Sequence, residues 1–239
     1  MIKSNLLTIL ILSLILFSMS CAPRKPSIDE VIAQEKIVLN SIKNKDFRKT
    51  IETLDEIIAY NPAHPMAYRL KADAHLQLNE DRKALRSIQS SIALNSGDLR
   101  DYILYADILE RTKKIADATE VLKEAIDTLP HKSILDIESI SADYIRYSPI
   151  EVELFAKVLE LLQAREGVTK ETLSYAELGF NRNSGSRKLF DIWMGLLARS
   201  GDSARRENFL HVLCSNPAIT ESNSCKLDNE SMGSPISQP

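Results

Sequence analysis

Residues 102–130 read YILYADILERTKKIADATEVLKEAIDTLP, and this stretch decides the fold. Tyr102, Tyr105, Ala106 and Leu109 recur at three- and four-residue intervals and so share one face of a helix. Ala118, Leu122 and Ala125 repeat the pattern on a second helix, which Pro130 closes. Alanine at the crossing points lets two backbones approach closely while larger side chains fill the space beside them. The spacing predicts two helices packed as an antiparallel pair.

The order of large, small and proline positions resembles the tetratricopeptide repeat (TPR), a helix–turn–helix unit of 34 residues. Stepping backwards in that period puts unit starts near Val31, Pro65 and Leu99. The second unit matches at Tyr68, Ala72, His75, Ala84, Ile88 and Ser91, with Lys71 at a usually apolar position and Ser96 in place of the proline. The first keeps Ile37, Val38, Leu54, Ile57 and Pro62. Helices are expected over 28–44, 46–60, 65–79, 81–95, 98–112 and 115–129.

Beyond Pro130 helical signals continue in a looser pattern. Ile134, Ile137, Ile140, Tyr144 and Tyr147 line one face. Ser148-Pro149-Ile150-Glu151 offers an N-cap, a first-turn proline and a capping-box glutamate. The helix that follows, ending before Gly167, reads as the second member of a pair, a diverged repeat or else an inserted helical hairpin, the former preferred. Tyr175, Leu178 and Gly179 resemble the start of another unit, followed by a polar turn at 183–186 and a helix that stops at Gly201. A last helix over about 203–214 suits the capping element that a helical array needs at its open end. The expected fold is all-α: a TPR-like right-handed helical-hairpin solenoid with a diverged C-terminal half and a capping helix.

Composition agrees with that class. The 239 residues include only seven glycines and nine prolines. Thirty basic and 33 acidic side chains, a formal net charge of −3, are interspersed and leave no nucleic-acid footprint.

The N-terminus carries a different signal. Lys3 precedes an apolar run, Leu6 to Phe17, which is shorter than the ~20 residues of a spanning helix and suits a signal-peptide core. Ser18-Met19-Ser20-Cys21 follows and resembles a lipoprotein lipobox, although Ser18 stands where that pattern has leucine. The resemblance implies cleavage before Cys21 and lipidation of its thiol, palmitate included. Ala22 in place of an aspartate implies the outer membrane, facing the periplasm, rather than the inner membrane or a soluble periplasmic form. The organisation expected is therefore a signal peptide over 1–20, a lipidated tether over 21–27, three TPR units over 28–132, diverged hairpins and a cap over 133–214, and a disordered tail over 215–239. That tail is rich in Ser, Asn and Pro.

With Cys21 assigned to the lipid, Cys214 and Cys225 remain, and an even remainder in an exported protein predicts a disulfide. No nucleophile elbow, phosphate-binding glycine loop or zinc-protease helix is present. His64, His75, His131 and His211 form no ligand pattern. Carboxylate pairs such as Asp55/Glu56 and Glu151/Glu153 read as solvated helix surface or caps. Neither a catalytic site, a metal site nor a cofactor is expected.

In TPR proteins the first helix of each unit lines a concave face. The resemblance maps that groove onto Glu35, Leu39 and Ile42, then Arg69, Asp73 and Leu76, then Ile103, Asp107 and Glu110. Arg69/Asp73 and Asp107/Arg111 are also spaced for intrahelical ion pairs. These positions depart from the carboxylate clamp of chaperone-binding TPR proteins, because groove aspartates would repel a carboxylate. A protein segment of mixed apolar and basic character fits better. The resemblance implies a non-enzymatic scaffold that helps assemble an envelope machine such as a pilus, secretion or export complex, or else an adaptor of peptidoglycan enzymes. Neither nucleic acid nor a small-molecule substrate is expected.

Overall fold

The computed structural model describes residues 26–94, 97–130, 148–214 and 219–226. The signal peptide, Cys21 and the expected helix face from Ile134 to Tyr147 lie outside these residues. The chain divides into two compact units, Met1–Ser96 and Gly97–Pro239. The break falls between the second and third repeats.

Unit one contains α1 (Ile28–Lys43), α2 (Phe47–Tyr60), α3 (Pro65–Gln77) and α4 (Asp81–Ala93), each packed on the next. Unit two contains α5 (Leu99–Arg111), α6 (Ile115–Asp127), α7 (Pro149–Glu166), α8 (Lys170–Arg182), α9 (Arg187–Ser200) and α10 (Ser203–Leu213). The six helices over 28–129 begin and end within two residues of the sequence expectation. Three of the starts are capped by short polar side chains: Ser27 and Glu30 form a capping box on α1, and Asp46 and Asp98 cap α2 and α5, whereas α4 and α6 begin without a side-chain cap bond. His64 caps α3 through its ring nitrogen, with Pro65 in the first turn.

The 34-residue period is also written into the backbone. Lys45, Asn79 and Lys113 hold positive φ, near 58°, 59° and 62°, at the turn inside each hairpin. The next residue's amide closes each turn on a carbonyl five residues back: Asp46 on Ser41, Glu80 on His75, Lys114 on Leu109, at 2.8–2.9 Å. This is the six-to-one bond of a Schellman-type stop.

Packing follows the predicted small positions. Ala72, Ala84, Ile88, Ala106, Ala118, Leu122 and Ala125 are fully buried and Leu109 nearly so, while Tyr68, Tyr102 and Tyr105 are half-buried beside them. Pro130 is exposed, and α6 has already ended at Asp127. In the first repeat, Thr50 takes the place that Ala84 and Ala118 hold in the others. Its hydroxyl sits 2.8 Å from that of Ser41, so two buried hydroxyls satisfy each other.

Unit two departs from the simple repeat pattern in three ways. First, α7 packs on both α5 and α6, and α9 packs on α7 and α8, while the expected partner of α7 before Ser148 lies outside the described residues. Gly179 belongs to the α7–α8 crossing: a Cβ there would meet the Phe155 ring at 2.9 Å. Second, Glu151 does not cap α7. Ser148 precedes the helix without a side-chain cap bond, and the Glu151 carboxylate is buried against Arg182. Third, residues 219–226 are packed rather than tail-like. Ile219 and Cys225 are fully buried, Cys225 is disulfide-bonded to Cys214, and the Asp191 carboxylate accepts the amides of Asn223 and Ser224 at 3.1 and 2.7 Å. A large apolar side chain and a crosslink anchor this segment despite its polar composition.

The core of unit two is more aromatic than that of unit one. Phe180 lies 5.4 Å from both Phe190 and Trp193, and Trp193 lies 4.7 Å from Phe209, ring centre to ring centre. Arg205 covers the outer face of Phe209, so α10 closes this cluster as a capping helix should.

Candidate functional site

Large apolar side chains are concentrated on the outside of the first repeat. Ile28, Ile32, Glu35 and Leu39, spaced four, three and four apart, share one face of α1. Ile28 is 79% exposed, Ile32 57% and Leu39 67%, and Met66 at the start of α3 is 49% exposed. Helix α1 therefore buries little beyond Val38 and Ser41, and leaves an apolar stripe uncovered.

Beside that stripe lies a cleft of about 270 Å3. Its floor is Val38, Leu54, Ile57 and Ala67, which together form the buried core of the first two hairpins. Glu35, Leu39, His64, Met66 and Leu70 form its walls. The surroundings are mostly hydrocarbon, with one carboxylate. Tyr60 packs against the same core, and burial, followed by the charge of Glu35, raises its phenol above the usual value. Such a cleft can hold apolar side chains and one cationic group.

Of the groove positions read from sequence, Glu35 and Leu39 meet in this cleft. Arg69 is half-buried, and Asp73 is exposed. Leu76 and Ile103 are corrections: both are buried in the packed interior and give little surface to a partner. Asp107 and Glu110 are engaged within unit two, where both carboxylates bind Lys157 of α7, at 3.1 and 2.6 Å. Burial alone would lower the Lys157 pKa, but hydrogen bonds to Glu110 and Asp107 carry it above the ordinary lysine value. The expected Asp107/Arg111 spacing thus gives way to an ion pair between helices.

His64 and Met66 were missed by groove mapping because they belong to the N-cap and first turn of α3. The signal was present in the apolar residue following Pro65. Lys157 was missed because nothing local marks a lysine on α7 as facing two carboxylates fifty residues earlier. Of the histidines, His75 is buried and His211 exposed, while His131 lies outside the described residues. Among the described residues no three His, Cys, Asp or Glu side chains cluster as a metal site would require, and no helix is long and apolar enough to cross a membrane.

Solved structures share this arrangement of hairpins. YrrB, described as a TPR protein with an unusual peptide-binding site, superposes with a TM-score of 0.51 at 9% identity, over 87% of this chain and all of that one. The fold is that of TPR proteins. PilF of Pseudomonas aeruginosa, a TPR protein by structure, gives a TM-score of 0.52 at 14% identity over 84% of this chain and 92% of its own. MamA from Desulfovibrio magneticus gives 0.54 at 10% identity over 82% and 97%. At such low identity the likeness is one of TPR architecture alone. No protein-family model matches the sequence, and no curated protein matches it.

Proposed function

We propose that this chain is a non-catalytic scaffold of the bacterial envelope, held at the periplasmic face of the outer membrane by a lipid on Cys21, that helps assemble a pilus, secretion or export machine. The observation that carries the binding role is the exposed apolar stripe of α1 opening into the cleft of Glu35, Leu39 and Met66. Its occupant is a segment of a protein partner with apolar side chains flanked by a basic residue. The apolar floor would take the former and Glu35 the latter. The lipid and the location rest on the sequence of residues 3–22. A surface tethered to a membrane raises the effective concentration of partners in the same membrane.

A photo-crosslinker at residue 39, in cells carrying either the native Cys21 or Cys21→Ser, tests both parts. Crosslinks to pilus, secretion or export components, lost when Met66→Asp is added, together with palmitate labelling lost with Cys21→Ser, are expected. Recovery of peptidoglycan hydrolases or synthases instead would assign the scaffold to the cell wall. Absence of palmitate on the native chain would remove the anchor.

A further inference from the structure

A second cavity lies between α3 and α4, in the hairpin where the repeat pattern fails. Lys71 stands at the position usually taken by leucine, and His75 at the aromatic position that Leu109 fills in the next repeat. Both line a cavity of about 240 Å3 together with Lys83, Arg86, Ser87 and Ser90 of α4, while Tyr68 adds a phenol. Every lining residue carries a hydrogen-bond donor, and none is a carboxylate. His75 and Ser87 are buried at its floor, while Lys83 and Arg86 stand exposed at its rim.

Two carboxylates hold these donors from outside the cavity. Asp55 binds the Lys71 ammonium, and Glu80 binds both Lys83 (3.0 Å) and Nδ1 of His75 (2.7 Å). With Nδ1 committed to Glu80, Nε2 is the ring nitrogen left for another partner. The Arg86 guanidinium has no ion-pair partner among the described residues. Lys71, Lys83 and Arg86 against Asp55 and Glu80 leave one fixed positive charge in excess, and protonated His75 would add a second.

We infer that this cavity binds a phosphate group, through Arg86 and Lys83 with the hydroxyl of Ser87; the Ser90 hydroxyl is already donated to the Arg86 carbonyl, at 3.1 Å. A tetrahedral oxyanion has enough lone pairs to engage this many donors, and the arginine fork suits it. The volume lies below the ~300 Å3 at which ligand pockets usually begin, which fits one charged group better than a large molecule. The same chemistry could come from free phosphate or from a phosphomonoester borne by a larger molecule.

The test uses the chain with residues 26–239 intact, at constant ionic strength, with inorganic phosphate and glycerol phosphate as separate probes against chloride. The His75 imidazole resonances report occupancy. A saturable phosphate-dependent shift is expected, with affinity at least tenfold weaker in Arg86→Gln and in Lys83→Gln. Both substitutions are at exposed positions, and unchanged thermal unfolding would certify their folds. Tighter binding of glycerol phosphate than of inorganic phosphate would indicate an esterified group, and the reverse a free ion. A non-saturable shift, one matched by chloride, or one indifferent to both substitutions would overturn the site. Because the crosslinks at residue 39 report on a different cleft, either result can fail without the other.

Discussion

The buried carboxylate of Glu151 accepts Nε of Arg182 at 3.1 Å, and this contact ties the start of α7 to the end of α8. Arg182 also donates through Nη1 to the Pro130 carbonyl, while Oδ1 of the adjacent Asn183 accepts the Ser148 amide at 2.9 Å. Two neighbouring side chains thus hold the two described ends that flank residues 131–147. Removing one partner leaves a buried charge uncompensated, at a typical cost of about 3–5 kcal/mol. Arg182→Met alone should therefore lower the stability of unit two by about that amount in urea unfolding. Arg182→Met with Glu151→Gln should cost distinctly less.

Lys113 occupies the left-handed region in which an L residue is disfavoured by about 1–2 kcal/mol. Glycine relieves that strain but loses more backbone freedom on folding. The net expectation for Lys113→Gly is a gain of about 0.5–1 kcal/mol, measured by chemical denaturation. A loss would mean that the lysine side chain makes a compensating contact.

Gly179→Ala should be costly for the opposite reason. The added methyl would meet the Phe155 ring at 2.9 Å, in a core that has no room to yield. A destabilisation of about 1–3 kcal/mol is expected, as for other overpacked cores. Phe155→Leu in the same chain should recover part of it.

His75 gives unit one a pH dependence. Burial lowers its pKa, only partly offset by the hydrogen bond and charge of Glu80, while Lys71 and Lys83 lower it further. The folded state then favours neutral imidazole. This contribution is complete above the unfolded value of about 6.5 and is lost as pH falls through the lower folded value. His75→Tyr, restoring an aromatic at that repeat position, should flatten this acid limb. Glu80 has its own lowered pKa, chiefly from Lys83 and then His75, so its contribution disappears only at more acidic pH. Unfolding of both proteins between pH 7.5 and 4.5 separates the two.

The hairpins over 28–129 were legible because their signals are local: alanines at crossings, large residues at three and four, prolines near the ends. The role of Glu151 was not, because Ser148-Pro149-Ile150-Glu151 looks like a cap motif, and only its distant partner Arg182 shows otherwise. Two walls of the candidate cleft, Glu35 and Leu39, could be read through the repeat resemblance, whereas Met66 depends on how α3 is set against α1 and α2. Leu76 and Ile103 were mapped outward because a repeat template assigns faces in whole positions, while real helices rotate by a fraction of a turn. Residues 219–226 were misread because composition counts polar residues, and a single buried isoleucine beside a crosslink outweighs them.

The turns at Lys45, Asn79 and Lys113 are closed by main-chain bonds, with no side chain in common. Their geometry is thus inherited with the length of the unit rather than with its letters. A gene encoding such a protein could gain or shed one 34-residue segment by unequal crossover, and the new junction would already know how to bend.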